Sequence, residues 1–186
     1  AFLLLLPLHV VLLELIIDPT CSVVLERQPA EKDVMERKPR DTKEKLLTLK
    51  ILSKNIVQGL VIFAAAFGSY YAAIKNGYSA ELSRTFGLVI IMLSNLFLVQ
   101  VNSSDKDSAL SSIKKLAKDK IMWAINIGTV LLLLLIIYTP LNNVLKLAPL
   151  SLTQLFTVTA IAIISVYWYE IVKFFNRIKT NKINQK

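Results

Sequence analysis

Two carboxylates stand where hydrocarbon would normally be required. Residues 12–21 read Leu-Leu-Glu-Leu-Ile-Ile-Asp-Pro-Thr-Cys and close an apolar run that begins at Phe2. Glu14 and Asp18 are four apart, so on a helix they share one face, one above the other. An ionisable residue inside a membrane span is costly, and two on one face point to an ion pathway. Pro19 adds to this. It has no N–H to give the carbonyl of Leu15, its ring pushes that carbonyl aside, and it steers Asp18 away from helical dihedrals. The expectation is a break in the helix where one freed carbonyl and two carboxylates meet. Oxygen is the ligand hard cations take, and broken helices at mid-membrane are how transporters build ion sites. Glu14, Asp18 and the carbonyl of Leu15 are therefore the candidate half-site for a cation.

Other readings of the same stretch are available. A signal peptide would also start apolar, but acids interrupt the run and no basic segment precedes it. The two acids could be salt-bridged to Lys or Arg from elsewhere, although the run itself contains neither. His9, the single histidine, has no partner at metal-ligand spacing and reads as a packing or hydrogen-bonding residue. Cys21, alone of its kind, excludes an internal disulfide and reads as packing.

The elements that must position these residues are helices. At 186 residues and 54% hydrophobic, with mean hydropathy +0.55, the chain is too apolar for an ordinary soluble domain. Five apolar runs, roughly 2–24, 56–74, 85–101, 121–138 and 150–172, are each long enough to span a bilayer. Their apolar character is continuous rather than alternating, which fits helices and not a barrel. The fold class expected is an all-α membrane protein, a bundle of five transmembrane helices with charged loops at 25–55 and 102–120. Pro29 and Pro39 shape the first of those loops, and from Leu46 the spacing turns helical and leads into the second span. The second loop carries a Leu110, Ile113, Leu116 ridge.

Within the spans, Ala64, Ala65, Gly68, Ser69, Ala72 and Ala73 recur four apart, the pattern of close helix packing. Lys75-Asn76-Gly77 is a turn. Ser94 and Asn95 stand near the middle of the third span, and Asn95 is either an interhelical hydrogen bond or a ligand. The fourth span is almost pure Leu and Ile and is expected to face lipid until Pro140 ends it. Tyr167-Trp168-Tyr169 forms an aromatic belt at the end of the fifth. Net charge is +9, but the basic residues flank spans and no aromatic-basic motif accompanies them, so nucleic acid is not a partner. Nineteen of the 22 basic residues lie in segments 25–55, 102–120 and 173–186. The positive-inside rule places those segments and the C-terminus in the cytoplasm, so the first span enters from outside.

Two blocks carry a family resemblance. Leu15-Ile16-Ile17-Asp18, followed by Asp33-Val34-Met35-Glu36-Arg37-Lys38-Pro39-Arg40, resembles the sixth membrane helix and following cytoplasmic loop of P-type cation-transporting ATPases, calcium-pump-like. The remaining spans are similar to that family's seventh to tenth helices, with Leu152-Thr153-Gln154 opening the last, and the resemblance covers essentially all 186 residues. It implies that Asp18 matches the family's cation-binding Asp and that Asn95 falls near an eighth-helix position supplying a carboxylate in two-site calcium pumps. Glu14 falls where calcium pumps have Asn and sodium- or proton-potassium pumps have an acid. Ile17 replaces a ligand-bearing Thr, and Pro19 and Cys21 replace the usual Gly and Pro. Those departures suggest one cation per cycle.

By the same resemblance the transported cation is Ca²⁺ or another divalent ion, and the setting is the plasma membrane of a prokaryote. No stretch resembles the phosphorylated Asp-Lys-Thr-Gly loop, the nucleotide domain or the Thr-Gly-Glu loop of such pumps. Mg²⁺ and ATP would then belong to an N-terminal part outside this chain, docked through Asp33 to Arg40. The 186 residues would form the C-terminal transmembrane domain of a larger enzyme. The alternative is a free-standing, non-enzymatic membrane carrier or assembly subunit.

Overall fold

Capping chemistry sets where the helices begin and stop. The computed structural model describes residues 3–26, 49–102 and 120–183, and among them every regular element is helical. The helices are α1 (Pro7–Glu26), α2 (Leu49–Lys75), α3 (Ala80–Asn102), α4 (Lys120–Tyr138), the single turn α5 (Leu141–Val144) and α6 (Leu152–Ile183). The expected turn after α2 is a Schellman motif, with Gly77 at φ 81°. There the N–H of Tyr78 donates to the Ala73 carbonyl at 3.1 Å and that of Gly77 to Ile74 at 3.0 Å. Ser79 caps α3, its Oγ accepting the N–H of Leu82 at 3.2 Å. A capping box opens α6: Gln154 N–H donates to Ser151 Oγ at 3.3 Å, and Ser151 N–H donates to Gln154 Oε1 at 2.8 Å.

The break expected at Pro19 does not occur. α1 runs unbroken from Pro7 to Glu26 with Pro19 inside it and Asp18 in helical conformation. Proline removes one ladder bond, to the carbonyl of Leu15, but the turns on either side keep theirs, and helices in lipid tolerate such a loss.

α3 is the centre of the bundle and packs against α2, α6 and α1. Leu88, Val89 and Ile90 are consecutive and fully buried, so this helix is covered on all sides there. Leu13 and Ile16 of α1, Ala66 and Ala73 of α2, Ile136 and Ile137 of α4, and Val158 and Ala162 of α6 close around it. Gly87 allows the close approach: a Cβ there would overlap the side chain of Leu4 and lie 3.5 Å from the Ala66 carbonyl. The small residues of α2 divide between two ridges. Ala66 and Ala73, with Ile62 and Tyr70, face inward, while Ala64, Gly68 and Ala72 face outward, so only part of the predicted stripe packs within this chain. α4 likewise is not purely lipid-facing: Leu131, Leu132 and Leu135 point out, but Leu133, Ile136 and Ile137 join the core.

Hydrogen bonds gather the helix ends into two groups. At one end, here the tied end, Arg84 Nε donates to the Leu3 carbonyl at 3.1 Å, and Tyr138 Oη donates to Leu150 at 2.7 Å. Thr85 Oγ1 lies 2.9 Å from the Ala148 carbonyl and accepts the Ala148 N–H at 3.0 Å. The starts of α1, α3 and α6 and the end of α4 therefore meet there. At the opposite end Gln58 of α2 and Asn102 of α3 exchange amide contacts at 3.4 and 3.5 Å. Lys54 Nζ sits 4.9 Å from the ring centroid of Tyr169, and Ile62, Val101 and Val166 cluster close by. Between the ends, Ser165 Oγ donates to the Ala162 carbonyl at 2.8 Å, which leaves Ser94 Oγ to donate to Ser165 at 3.1 Å. Ser94, rather than Asn95, makes the mid-span interhelical bond.

Ile51–Lys75, Ala80–Val99 and Leu152–Tyr169 are long and apolar enough to cross a membrane, and the apolar part of α4, Trp123–Tyr138, is shorter. Large apolar side chains cover the outside, Phe156 being 68% and Ile164 70% exposed, as a lipid solvent requires. The chain is an all-α membrane bundle. The Asp33 to Arg40 block, the prolines at 29 and 39 and the Leu110, Ile113, Leu116 ridge lie outside the described residues.

Candidate cation site

One ridge of α1 decides where its acids point. His9, Leu13 and Ile16 follow i, i+4, i+7 spacing, and all three are buried against the bundle. Glu14 and Asp18 lie roughly 130–170° round the helix from the Leu13 and Ile16 ridge, given 3.6 residues per turn. Both are exposed, on a face that no described element covers. Among the described residues neither makes a salt bridge or hydrogen bond, so the ion-paired alternative finds no support there. The two carboxylates share one face, about 40° apart around the axis.

Leu15 contributes its main chain. Its side chain is 70% exposed, and because residue 19 is proline its carbonyl has no N–H four residues on. Even without a helix break, α1 thus frees the Leu15 carbonyl from its ladder bond, about 60–100° round the helix from the two carboxylates on the side of Pro19. All three are hard oxygen donors, the set that Ca²⁺ and similar cations bind. No group of three or more His, Cys, Asp or Glu side chains converges among the described residues.

Asn95 is not brought into hydrogen-bond contact with either acid. It is half-buried on α3, and its Nδ2 donates to the Ile91 carbonyl of its own helix at 3.0 Å. That bond fixes the amide so that Oδ1 is the free end. Beside the acid face, α1 and α4 diverge around a cleft of about 670 Å³ lined by Leu12, Leu15 and Pro19 on one side and Gly128, Thr129 and Leu132 on the other. The cleft is apolar apart from Thr129. It offers an ion almost no oxygen.

His9 behaves as its isolation in the sequence suggested. It is fully buried, its Nδ1 accepts the Leu6 N–H at 3.2 Å, and Nε2 lies 2.6 Å from the Leu145 carbonyl. Acceptance at Nδ1 requires the lone pair there, so the proton is on Nε2 and is donated to Leu145. One neutral tautomer satisfies both bonds. The partner at Leu145 could not have been read from the sequence, because it lies 136 residues away and is a backbone carbonyl.

Residues 2–175 match the family model described as cation transporting ATPase, C-terminus. The chain belongs to that family. A relative within reach of this cation-ATPase chain is Calcium-transporting ATPase 1 of Bacillus cereus (strain ATCC 10987 / NRS 248), 25% identical over 182 residues. The match covers 90% of this chain and 20% of the relative, so the cation-ATPase chain spans about a fifth of that protein's length.

Proposed function

We propose that this chain is the ion-handling C-terminal membrane part of an ATP-driven cation pump, with Asp18 and Glu14 as carboxylate ligands of the transported ion. The observation that carries the reading is the pair itself: two acids one turn apart, inside an apolar helix, unpaired, and turned away from the packed helices among the described residues. Leaving two such charges without a partner in a membrane is unfavourable, and a cation is the partner that removes the cost. The uncovered face is where the remainder of a larger pump would close the site. Two negative charges and a neutral carbonyl suit a divalent ion, and Ca²⁺ is favoured by the calcium-transporting relative. Asn95 is left out of this set, because α1 meets α3 with the Leu13 and Ile16 ridge, on the side away from the acids. ATP and Mg²⁺ would act in the part beyond this chain, with Asp33 to Arg40 as the docking segment and the basic segments in the cytoplasm.

The test is a substitution pair in the whole pump. Asp18→Asn keeps size and one carbonyl oxygen but removes the charge. It should abolish cation-stimulated ATP hydrolysis while the protein still inserts in the membrane. Ile17→Ala, next in sequence but packed against the core, should leave the apparent cation affinity within a few-fold of wild type. Full cation-stimulated hydrolysis by the Asp18→Asn pump would overturn the assignment.

A further inference from the structure

The acid face of α1 is useful only if the helix is held at the right roll about its own axis. A roll of about 5° moves a carboxylate roughly 5–6 Å from the axis by about 0.5 Å, the tolerance a ligand constellation allows. The flank of α1 toward α4 resists less, because a cleft of about 670 Å³ opens between the two helices along part of their length. On the packed ridge, Leu13 and Ile16 make apolar contacts, which are non-directional and let a helix slip by small angles. His9 is different. It lies on that same ridge, is fully buried, and makes a 2.6 Å directional bond to the Leu145 carbonyl in the turn between α5 and α6. That turn is itself fixed to α3 by the two-way contact of Thr85 with Ala148.

We infer that His9 is a positioning residue for the cation site, setting the roll of α1, and so the direction of Glu14 and Asp18, through its Nε2–H bond to Leu145. The inference rests on the proposed ligand role of those acids. His9 is five residues from Glu14 and nine from Asp18, about 13 Å of helix rise from the latter, so it acts through the rigid helix and not by touching the ion. The two imidazole nitrogens divide the work. Nδ1 closes a local bond to Leu6, three residues back, which any residue with an acceptor at that place could make. Only Nε2 reaches across to another element.

Two amides separate these jobs. In His9→Gln the side-chain nitrogen falls near the place of Nε2 and keeps the bond to Leu145. In His9→Asn the oxygen falls near Nδ1 and keeps the bond to Leu6, while the cross-element bond is lost. Both variants are neutral, polar and close in size, so a generally structural role would move them together. The measurement is the apparent cation affinity and maximal rate of ATP hydrolysis in the whole pump, with Asp18→Asn alongside. His9→Gln should stay within about two-fold of wild type, and His9→Asn should bind the cation roughly ten-fold more weakly with its maximal rate largely kept, the size of effect seen when a ligand's supporting partner is removed. Equal affinities in the two variants overturn the inference, as does a fall in maximal rate without a change in affinity. Should His9→Asn fail to accumulate in the membrane, His9→Gln decides alone: an affinity near wild type supports the inference and a ten-fold loss overturns it. If Asp18→Asn retains cation-stimulated activity, the ligand reading itself fails; if it is inactive while His9→Asn binds normally, only the positioning role fails.

Discussion

Lys146 holds a backbone conformation that its side chain resists. It sits at φ 50°, the one non-glycine residue with positive φ among the described residues. The reason is local: α5 is closed by the N–H of Leu147 donating to Asn142 at 2.8 Å and that of Lys146 donating to Asn143 at 3.2 Å, a motif whose αL position is usually glycine. An L side chain there costs on the order of 1 kcal/mol. Lys146→Gly should therefore stabilise the protein by about 0.5–1 kcal/mol, since the gain is offset by glycine's freer unfolded chain, and thermal unfolding would show it. An unchanged or lowered midpoint would mean that the Lys146 side chain compensates its own strain. Residues differ in how far the sequence exposes such roles. The shared face of Glu14 and Asp18 was legible because four-residue spacing fixes it, and Gly77 was legible as a turn because glycine at that place has few other uses. Lys146 and His9 were not, since their roles depend on carbonyls that only the folded chain brings near.

Helices are where local rules and the lipid environment disagree. The five long helices follow from continuous apolar runs, yet Pro19 was expected to break α1 and does not. A proline in water exposes a freed carbonyl to competing solvent, whereas in an apolar setting the remaining ladder bonds have no competitor and the helix persists. The freed carbonyl of Leu15 stays in the helix, on the Pro19 side and about 60–100° round the axis from the acids. Pro19→Ala tests whether it serves the ion. Alanine would restore the missing N–H bond and remove the ring's clash, so α1 should gain roughly 1–3 kcal/mol of stability. If the Leu15 oxygen is a ligand, the same change should weaken apparent cation affinity several-fold, because that oxygen is now engaged. Stability and affinity moving in opposite directions is the expected outcome, and both moving up would remove Leu15 from the site. The small residues of α2 show the same limit of spacing. It marks ridges able to pack closely, and Ala66 and Ala73 do so, but it does not say which ridge finds a neighbour in this chain.

At the scale of the whole molecule, the two groups of helix ends bear on orientation. The hydrogen bonds from His9, Arg84, Thr85 and Tyr138 bring the turns at 76–79 and 139–151 to the tied end, where Lys75, Arg84 and Lys146 are the basic residues. Glu26, Leu49, Asn102 and Lys120 lie at the other ends of their helices, so the chain leaves for segments 27–48 and 103–119 from the opposite side. The other 19 basic residues belong to sequence on that side. Charge asymmetry and hydrogen-bonded geometry are independent, and they agree on which ends go together. The positive-inside rule then predicts the direction: the charged end toward the cytoplasm and the tied end outward. On that prediction α1 has His9 toward the outside and Glu26 toward the cytoplasm, and the proposed ion face of Glu14 and Asp18 lies between the two. Single cysteines in a background lacking other reactive thiols, Cys21 included, provide the check. A cysteine at Asn76 or Asn143, both exposed at the tied end, should react with an impermeant maleimide added to intact cells. One at Ser53, near the start of α2, should react only after the membrane is opened. Reaction at Ser53 from outside, with Asn76 protected, would invert the whole molecule and with it the direction in which the acids meet the ion.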